Sequence, residues 1–521
     1  MNRAVFGGVV LAALAIALAF RLVRADVRPM HHDEANQAVK FGELLETGDY
    51  RYDRTDHHGP TLYYLTLPAA WARGQATLAL LDERTLRAVP ALFGAGLILL
   101  LIPLAKGLGR TAVGASALLA AVSPVLVYYG RFYIQESLFA FFALAFLIAV
   151  GRFAERPRAA TAAWAGIWAG LAYSTKETSL VVLPAVAVAA LLARAAVRPG
   201  ERDETPGRPV PAMARGVYAA IAVSAALGVA FVFYSSFLRH PAGLLESFRA
   251  FGIYVDRGVG PGPHTQPFGY YARLLAFSSS GGLVWTEGLV LGLACVGIVA
   301  SVRKSPAGVS GIWPRYIGLF SLITFVAFSV IRYKTPWNLI PFYVGFVMMA
   351  GVWAAAIVGA LNSRPWRGAV IAVLLAATCQ LGWQSWRASF RYPADPRNPY
   401  VYAHTVPDLL RLAQRVANVA ALHADRSNTL VKVVAGPYEQ WPLPWYLRRL
   451  TRVGYWSRAD EAARLDDAPI VIASQYQAEA VGGVLGDRYV QEFYGLRPDV
   501  VLTLFVERPL WDRFLATQVG R

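Results

Sequence analysis

The chain has 521 residues, 56% of them apolar and only 16% charged, with a formal net charge of +17. Long apolar runs repeat along it, which excludes a soluble globular enzyme and fits a polytopic α-helical membrane protein. The basic residues are scattered between those runs, so the excess points to positive loops kept on the cytoplasmic side and not to nucleic acid. The two cysteines, Cys295 and Cys379, lie inside apolar runs and supply neither a disulfide framework nor metal-ligand spacing.

Taken in order, runs long enough to cross a bilayer fall at 4–23, 86–105, 111–128, 137–153, 160–175, 179–195, 214–237, 283–301, 315–331, 338–361 and 367–385, about eleven in all. The first lacks a small-residue cleavage site and is read as an uncleaved helix. The segment 61–71 is too short to span and is placed at the interface, and Lys176–Glu177 divide 160–195 into two helices. With the amino terminus cytoplasmic, the inner connections hold Lys106 and Arg110; Arg152, Arg156 and Arg158; Arg194, Arg198, Arg202 and Arg208; Arg303 and Lys304; and Arg364 and Arg367. The opposite face then receives the loop 24–85, Arg131 to Glu136, Lys176–Glu177, 239–282, Lys334 to Asn338, and all 8 histidines.

That division gives a membrane domain at 1–388 and an extracytoplasmic domain at 389–521. In the second, a helical pattern after Pro407–Asp408 is followed by β-branched runs at 430–435, 469–473 and 500–506. Such alternation predicts a small α/β layer. Neither a Gly-x-Gly-x-x-Gly nor a Walker loop occurs, and the Pro- and Arg-rich stretch 198–211 reads as an inner linker.

Chemistry concentrates on the outer face. Asp33 and Glu34 are adjacent acids just past the first span; a carboxylate there is suited to take an acceptor proton, although an acid at a helix start also serves as a cap. Arg131 and Tyr129 stand at the mouth of the next pair of spans, where basic and aromatic anchors are common, but Glu136 opens an apolar helix and calls for a partner. Lys176 supplies a cation suited to a lipid phosphate, and Arg332, Lys334 and Trp337 add charge and an aromatic face. His31, His32, Asp33, His57 and His58 together suggest a divalent metal, but adjacent histidines rarely share one ion, so the metal is the weaker reading. Trp441, Trp445 and Tyr446 either stack on sugar rings or pack the outer domain; packing is the favoured expectation.

Four stretches carry a resemblance: HDEA at His32–Ala35, GPTLYYL at Gly59–Leu65, YYGRFYIQESLFAFFALAF at Tyr128–Phe146, and GLAYSTKETSLVVLP at Gly170–Pro184. In this order they resemble the GT-C membrane glycosyltransferases, in the branch of the dolichyl-phosphate-mannose protein mannosyltransferases and the lipid A aminoarabinose transferase. RYKTPWN at Arg332–Asn338 and WPLPWYLR at Trp441–Arg448 are similar to the flippase-activity-associated proteins linked to archaeal-type N-glycosylation. The resemblance implies a polyprenyl-phosphate-linked sugar donor, a catalytic acid at Asp33 or Glu34, and a donor-phosphate lysine at Lys176. It also implies a second acid at Glu136, where the family usually has Asp.

The resulting expectation is an integral plasma-membrane glycosyltransferase with an extracytoplasmic α/β domain. It transfers a sugar with inversion from a polyprenyl-phosphate donor to a protein, lipid or glycan acceptor at the outer face. Asp33, Glu34 and Glu136 are the catalytic candidates. Lys176, Arg131, Arg332 and Lys334 are expected at the donor phosphate, and His32, His58, Tyr129 and Trp337 at the substrates. A non-enzymatic partner in flipping or docking lipid-linked oligosaccharide is the alternative, with a transporter behind it.

Overall fold

The computed structural model describes residues 1–55, 58–196, 212–260, 262, 264–303 and 312–519. His57, Lys304 and the whole linker 198–211, with Arg198, Arg202 and Arg208, lie outside the described residues.

Each expected span overlaps a helix, but 111–128 is broken in two at Ser123 and 283–301 begins with the strand Leu283–Trp285. α1 (Arg3–Leu22) is capped by Asn2, whose side chain accepts from the Val5 amide at 2.9 Å. After it come α2 (His32–Thr47), α3 (Thr61–Ala72), α4 (Glu83–Leu101), α5 (Ala105–Leu108) and α6 (Arg110–Val122). α7 (Pro124–Tyr129) follows α6 after a break at Ser123, because a proline cannot continue the hydrogen-bond ladder. The series continues with α8 (Glu136–Glu155), α9 (Ala159–Tyr173), α10 (Ser179–Ala195), α11 (Ala212–Tyr234), α12 (Gly243–Val259) and α13 (Tyr270–Ala276). A hairpin of β1 (Ser278–Ser280) and β2 (Leu283–Trp285) precedes α14 (Gly288–Arg303), α15 (Ile312–Val330), α16 (Ile340–Ala360) and α17 (Arg364–Trp386).

Among the described residues, 7 helices are long and apolar enough to cross a membrane unaided, and shorter apolar helices complete the bundle. Lys176–Glu177 do separate α9 from α10. α9 also approaches α11 closely: a Cβ on Gly166 would lie 2.1 Å from the Ala222 carbonyl oxygen, and one on Gly170 2.6 Å from that of Ala226. Small residues four apart on both helices permit this approach, the usual route to tight packing where lipid replaces water.

The C-terminal region forms a five-stranded sheet in the order β4-β3-β5-β7-β6. Its elements are α18 (Asp408–Ala420), β3 (Val431–Val434), α19 (Leu443–Tyr446), β4 (Val453–Trp456), β5 (Ile470–Ser474), α20 (Ala478–Leu485), β6 (Tyr489–Arg497), β7 (Val500–Glu507) and α21 (Arg508–Val519). β3 is parallel to β4 and β5, whereas β7 is antiparallel to β5 and β6. β3 and β5 are buried at every position, so their β-branched runs were legible in the sequence. β4 and the edge strand β6, both half-exposed, carry polar, aromatic and glycine residues and escaped that reading.

Candidate active site

The first turn of α2 organises one mouth of the bundle. His31 is its N-cap, and the Glu34 side chain reaches back to the His31 amide at 2.9 Å. Glu34 is fully buried, and both its oxygens are filled. Arg87 of α4 donates Nε to Oε1 at 2.8 Å and Nη2 to Oε2 at 2.9 Å, Arg28 donates Nη2 to both at 3.0 Å, and the Tyr133 amide donates to Oε1 at 2.8 Å. Burial pushes the Glu34 pKa up, but the Arg28 and Arg87 charges and these donors outweigh it and bring the group down to about 2. Glu34 is therefore an anchor joining the start of α2 to α4 and to the turn before α8.

Asp33, one residue earlier on the same helix turn, has its side chain 42% exposed. Burial would raise its pKa, but positive charge on nearby histidines, among them His32 and His58, holds it below the usual carboxylate range. The state of His31 follows from its bonds. Its Nδ1 accepts from the Asp33 amide at 3.1 Å, so the proton sits on Nε2, which donates to the Tyr402 carbonyl at 3.1 Å. Burial agrees, pressing the His31 pKa downward. Asp33 is thus an ionised carboxylate open to the mouth, resting on a neutral, fixed imidazole.

His58 links this recess to a second cluster. Its Nδ1 meets Glu177 Oε2 at 2.8 Å; burial disfavours the imidazolium, yet Glu177 raises the His58 pKa above its ordinary value. The next residue, Gly59, crosses the α9–α10 turn so closely that a Cβ would fall 2.0 Å from the Ser174 carbonyl oxygen. Backbone bonds from Gly59 to Thr175 and from Thr61 to Ser174, both 3.2 Å, fix the crossing. Lys176 is thereby held at the same mouth, buried, bonded to Glu136 and donating to Asn338 Oδ1 at 2.8 Å. The segment before α3, the start of α8, the α9–α10 turn and the segment before α16 meet at this point.

Not every expected residue joins it. Arg131 turns away and caps α1, donating to the Phe20, Arg21 and Val23 carbonyls through Nη1 and to Arg24 through Nη2. The Lys334 ammonium donates to the Gln266 and Ile331 carbonyls, 2.9 and 2.5 Å away, and not to Glu136 or Asn338, and Arg332 is exposed on the surface. Tyr129 is buried with its hydroxyl on the Tyr400 carbonyl at 2.8 Å, and Trp337 stands edge-on to His31 at 5.5 Å. The His32 ring lies 5.8 Å from that of Trp441. Among the described residues no group of three or more His, Cys, Asp and Glu side chains could hold a metal ion, and both nitrogens of His31 are engaged.

Sequence reasoning missed Arg28, Arg87, Asn338, His264, Tyr402 and His404. Arg87 was the legible one, because an arginine inside an expected span demands a buried partner. The packing of the outer domain is as expected for Trp445 and Tyr446. Trp445 Nε1 donates to Glu83 at 2.8 Å, and the Met30 amide donates to the Tyr446 hydroxyl at 2.7 Å.

Residues 67–202 match the family described as dolichyl-phosphate-mannose-protein mannosyltransferase. No curated protein sequence matches the chain. Among solved structures, ArnT from Cupriavidus metallidurans bound to undecaprenyl phosphate superposes with a TM-score of 0.62 at 16% identity, covering 95% of this chain and 98% of that one. The Archaeoglobus fulgidus oligosaccharyltransferase AglB, in complex with an inhibitory peptide and a dolichol-phosphate, gives 0.56 at 13% identity over 97% and 76% of the two chains. The Saccharomyces cerevisiae (S. cerevisiae) protein O-mannosyltransferase Pmt1-Pmt2 complex bound to the sugar donor gives 0.52 at 11% identity over 89% and 95%. At these identities the likenesses show a shared fold.

Proposed function

We propose that this protein transfers a sugar from a polyprenyl-phosphate donor to an acceptor hydroxyl at the outer membrane face, with inversion. The observation that carries this reading is the meeting, through His58, of an open ionised carboxylate at Asp33 with the buried Lys176–Glu136 pair. In the proposed step, Asp33 accepts the acceptor hydroxyl proton as that oxygen bonds to the anomeric carbon. The carbon–oxygen bond to phosphate breaks on the opposite side, and the departing phosphate takes the electron pair. Lys176 has three N–H donors, two of them on Glu136 and Asn338, which leaves the third for a phosphate oxygen. Glu136 fixes the direction of that ammonium and is a positioning residue in this scheme, and Glu34 holds the turn that presents Asp33.

The solved relatives support the donor class: one holds undecaprenyl phosphate and another a dolichol-phosphate. Lys176→Ala alone would strand the Glu136 carboxylate, so the informative variant is Glu136→Gln/Lys176→Met, which removes both charges. A charge-assisted hydrogen bond is worth enough that undecaprenyl phosphate should bind it about 10- to 100-fold more weakly in a lipid titration. Wild-type affinity in that variant would remove Lys176 from the donor site.

The orientation proposed with this reading has the amino terminus in the cytoplasm and the site and the α/β region outside, as the basic inner loops require. A cysteine at exposed Thr55 should react with an impermeant thiol reagent in intact cells, and one at exposed Arg156 only after lysis. The reverse result would invert the topology and refute an outer-face reaction.

A further inference from the structure

One solvent-facing feature beside the first turn of α2 has no part in the chemistry above. Tyr438 is 78% exposed, yet the turn that carries it is tied down on both sides. The Glu439 and Gln440 amides donate to the Gly436 carbonyl at 2.9 and 3.0 Å. The Gly436 amide donates to Glu439 Oε2 at 3.1 Å, and Arg497 Nη2 donates to the Tyr438 carbonyl at 2.6 Å. Trp441 follows, half-buried. The rings of Tyr438 and Trp441 lie 6.3 and 5.8 Å from that of His32, with interplanar angles of 32° and 45°. Just beyond, Trp445 on Glu83, Tyr446 on Met30, and Arg448 on the Leu81 carbonyl at 2.8 Å clamp the segment to the membrane domain. A rigid loop thus exposes large rings next to the residue that precedes Asp33, where leaving apolar surface wet is unfavourable unless something covers it.

We propose that Tyr438, Trp441 and His32 form a platform for a sugar ring of the acceptor, so that the acceptor is a carbohydrate. This rests on the transferase reading above and names its acceptor class. The weakly positive C–H face of a pyranose complements the negative face of an aromatic ring, and a turn held by its backbone presents the rings at reduced ordering cost. A peptide acceptor would need partners for its own backbone groups, but the amides of Gly436, Glu439 and Gln440 are already engaged within the turn.

The test is saturation-transfer NMR on the full-length protein in nanodiscs, with undecaprenyl phosphate added so that no probe sugar enters the donor side. The probes are methyl hexopyranosides and the acetylated, amidated tripeptide Gly-Ser-Gly. A third arm places the same hexose on a diacylglycerol in the disc, to separate a glycolipid acceptor from a soluble glycan. Saturation is expected on the ring C–H protons of a hexoside and not on the peptide. Affinity should fall about tenfold in Tyr438→Ala and in Tyr438→Ala/Trp441→Ala and be retained in Tyr438→Phe, because the ring face and not the hydroxyl is used. The exposed Tyr438 keeps the single variant informative even if the double variant misfolds. Peptide binding without sugar binding, no sugar binding in any arm, or unchanged sugar binding in the Tyr438→Ala protein overturns the proposal. Titration of undecaprenyl phosphate in the same discs separates the two readings. Donor binding without sugar binding defeats the platform alone, whereas absence of donor binding defeats the transferase reading beneath it.

Discussion

Asp33→Asn is expected to leave the protein folded and able to bind undecaprenyl phosphate while lowering sugar transfer by about 10² to 10⁴. The amide keeps the shape of the carboxylate but cannot accept a proton. The side chain is 42% exposed and the hydrogen bond to His31 Nδ1 is donated by the Asp33 amide, the carboxylate lying 3.8 Å from that nitrogen, so the substitution leaves the cap in place. The measurement is transfer from an undecaprenyl-phosphate sugar by purified protein, beside complementation of a deletion strain. Full glycosylation supported by Asp33→Asn would end the enzymatic reading and favour a non-catalytic role in handling lipid-linked sugar.

Glu34→Gln is expected to behave quite differently. It strips the charge from an anchor held by two buried guanidinium groups, leaving Arg28 and Arg87 without a counterion. Breaking a buried pair from one side typically costs about 3 to 5 kcal/mol, a large share of a marginal stability of about 5 to 15 kcal/mol. A lowered thermal midpoint and loss of monodisperse protein on extraction are the readouts. Wild-type thermal stability of Glu34→Gln would show that the network is not structural. The same pair predicts the acid response. A carboxyl lowered from 4.5 to about 2 on folding contributes fully above its unfolded value, and that contribution is lost as pH falls toward 2.

These two adjacent acids show how far the sequence could be read. The membrane class, the positions of the spans, the α/β layer and the convergence of His58, Lys176 and Glu136 with Asp33 on one face were all legible, because hydropathy and loop charge control them. The division of labour between Asp33 and Glu34 was not. It depends on His31 standing as an N-cap, which makes Glu34 the N3 residue of a capping box, and histidine is not among the residues that advertise a cap. Arg131 misled for a related reason. An arginine at a helix mouth offers charge to a ligand or donors to a helix end, and only the position of the α1 carbonyls decides between them. The platform residues Tyr438 and Trp441 were invisible as a pair with His32, since some 400 residues of chain and a separate sheet bring them there.

The connection between the last membrane helix and the sheet has a practical consequence. Residues 400–405 do not merely join two parts: Tyr400 receives Tyr129, Tyr402 receives His31 and meets His264 at 2.6 Å, and His404 stacks on His31 with ring centres 5.5 Å apart. A cut placed at residue 389, where the composition changes, would carry one wall of the acidic recess away with the outer half. Exchanging residues 408–519 for the equivalent part of another protein of this fold therefore requires grafting this strip together with its histidine contacts, or the imported half arrives with the wrong wall beside Asp33.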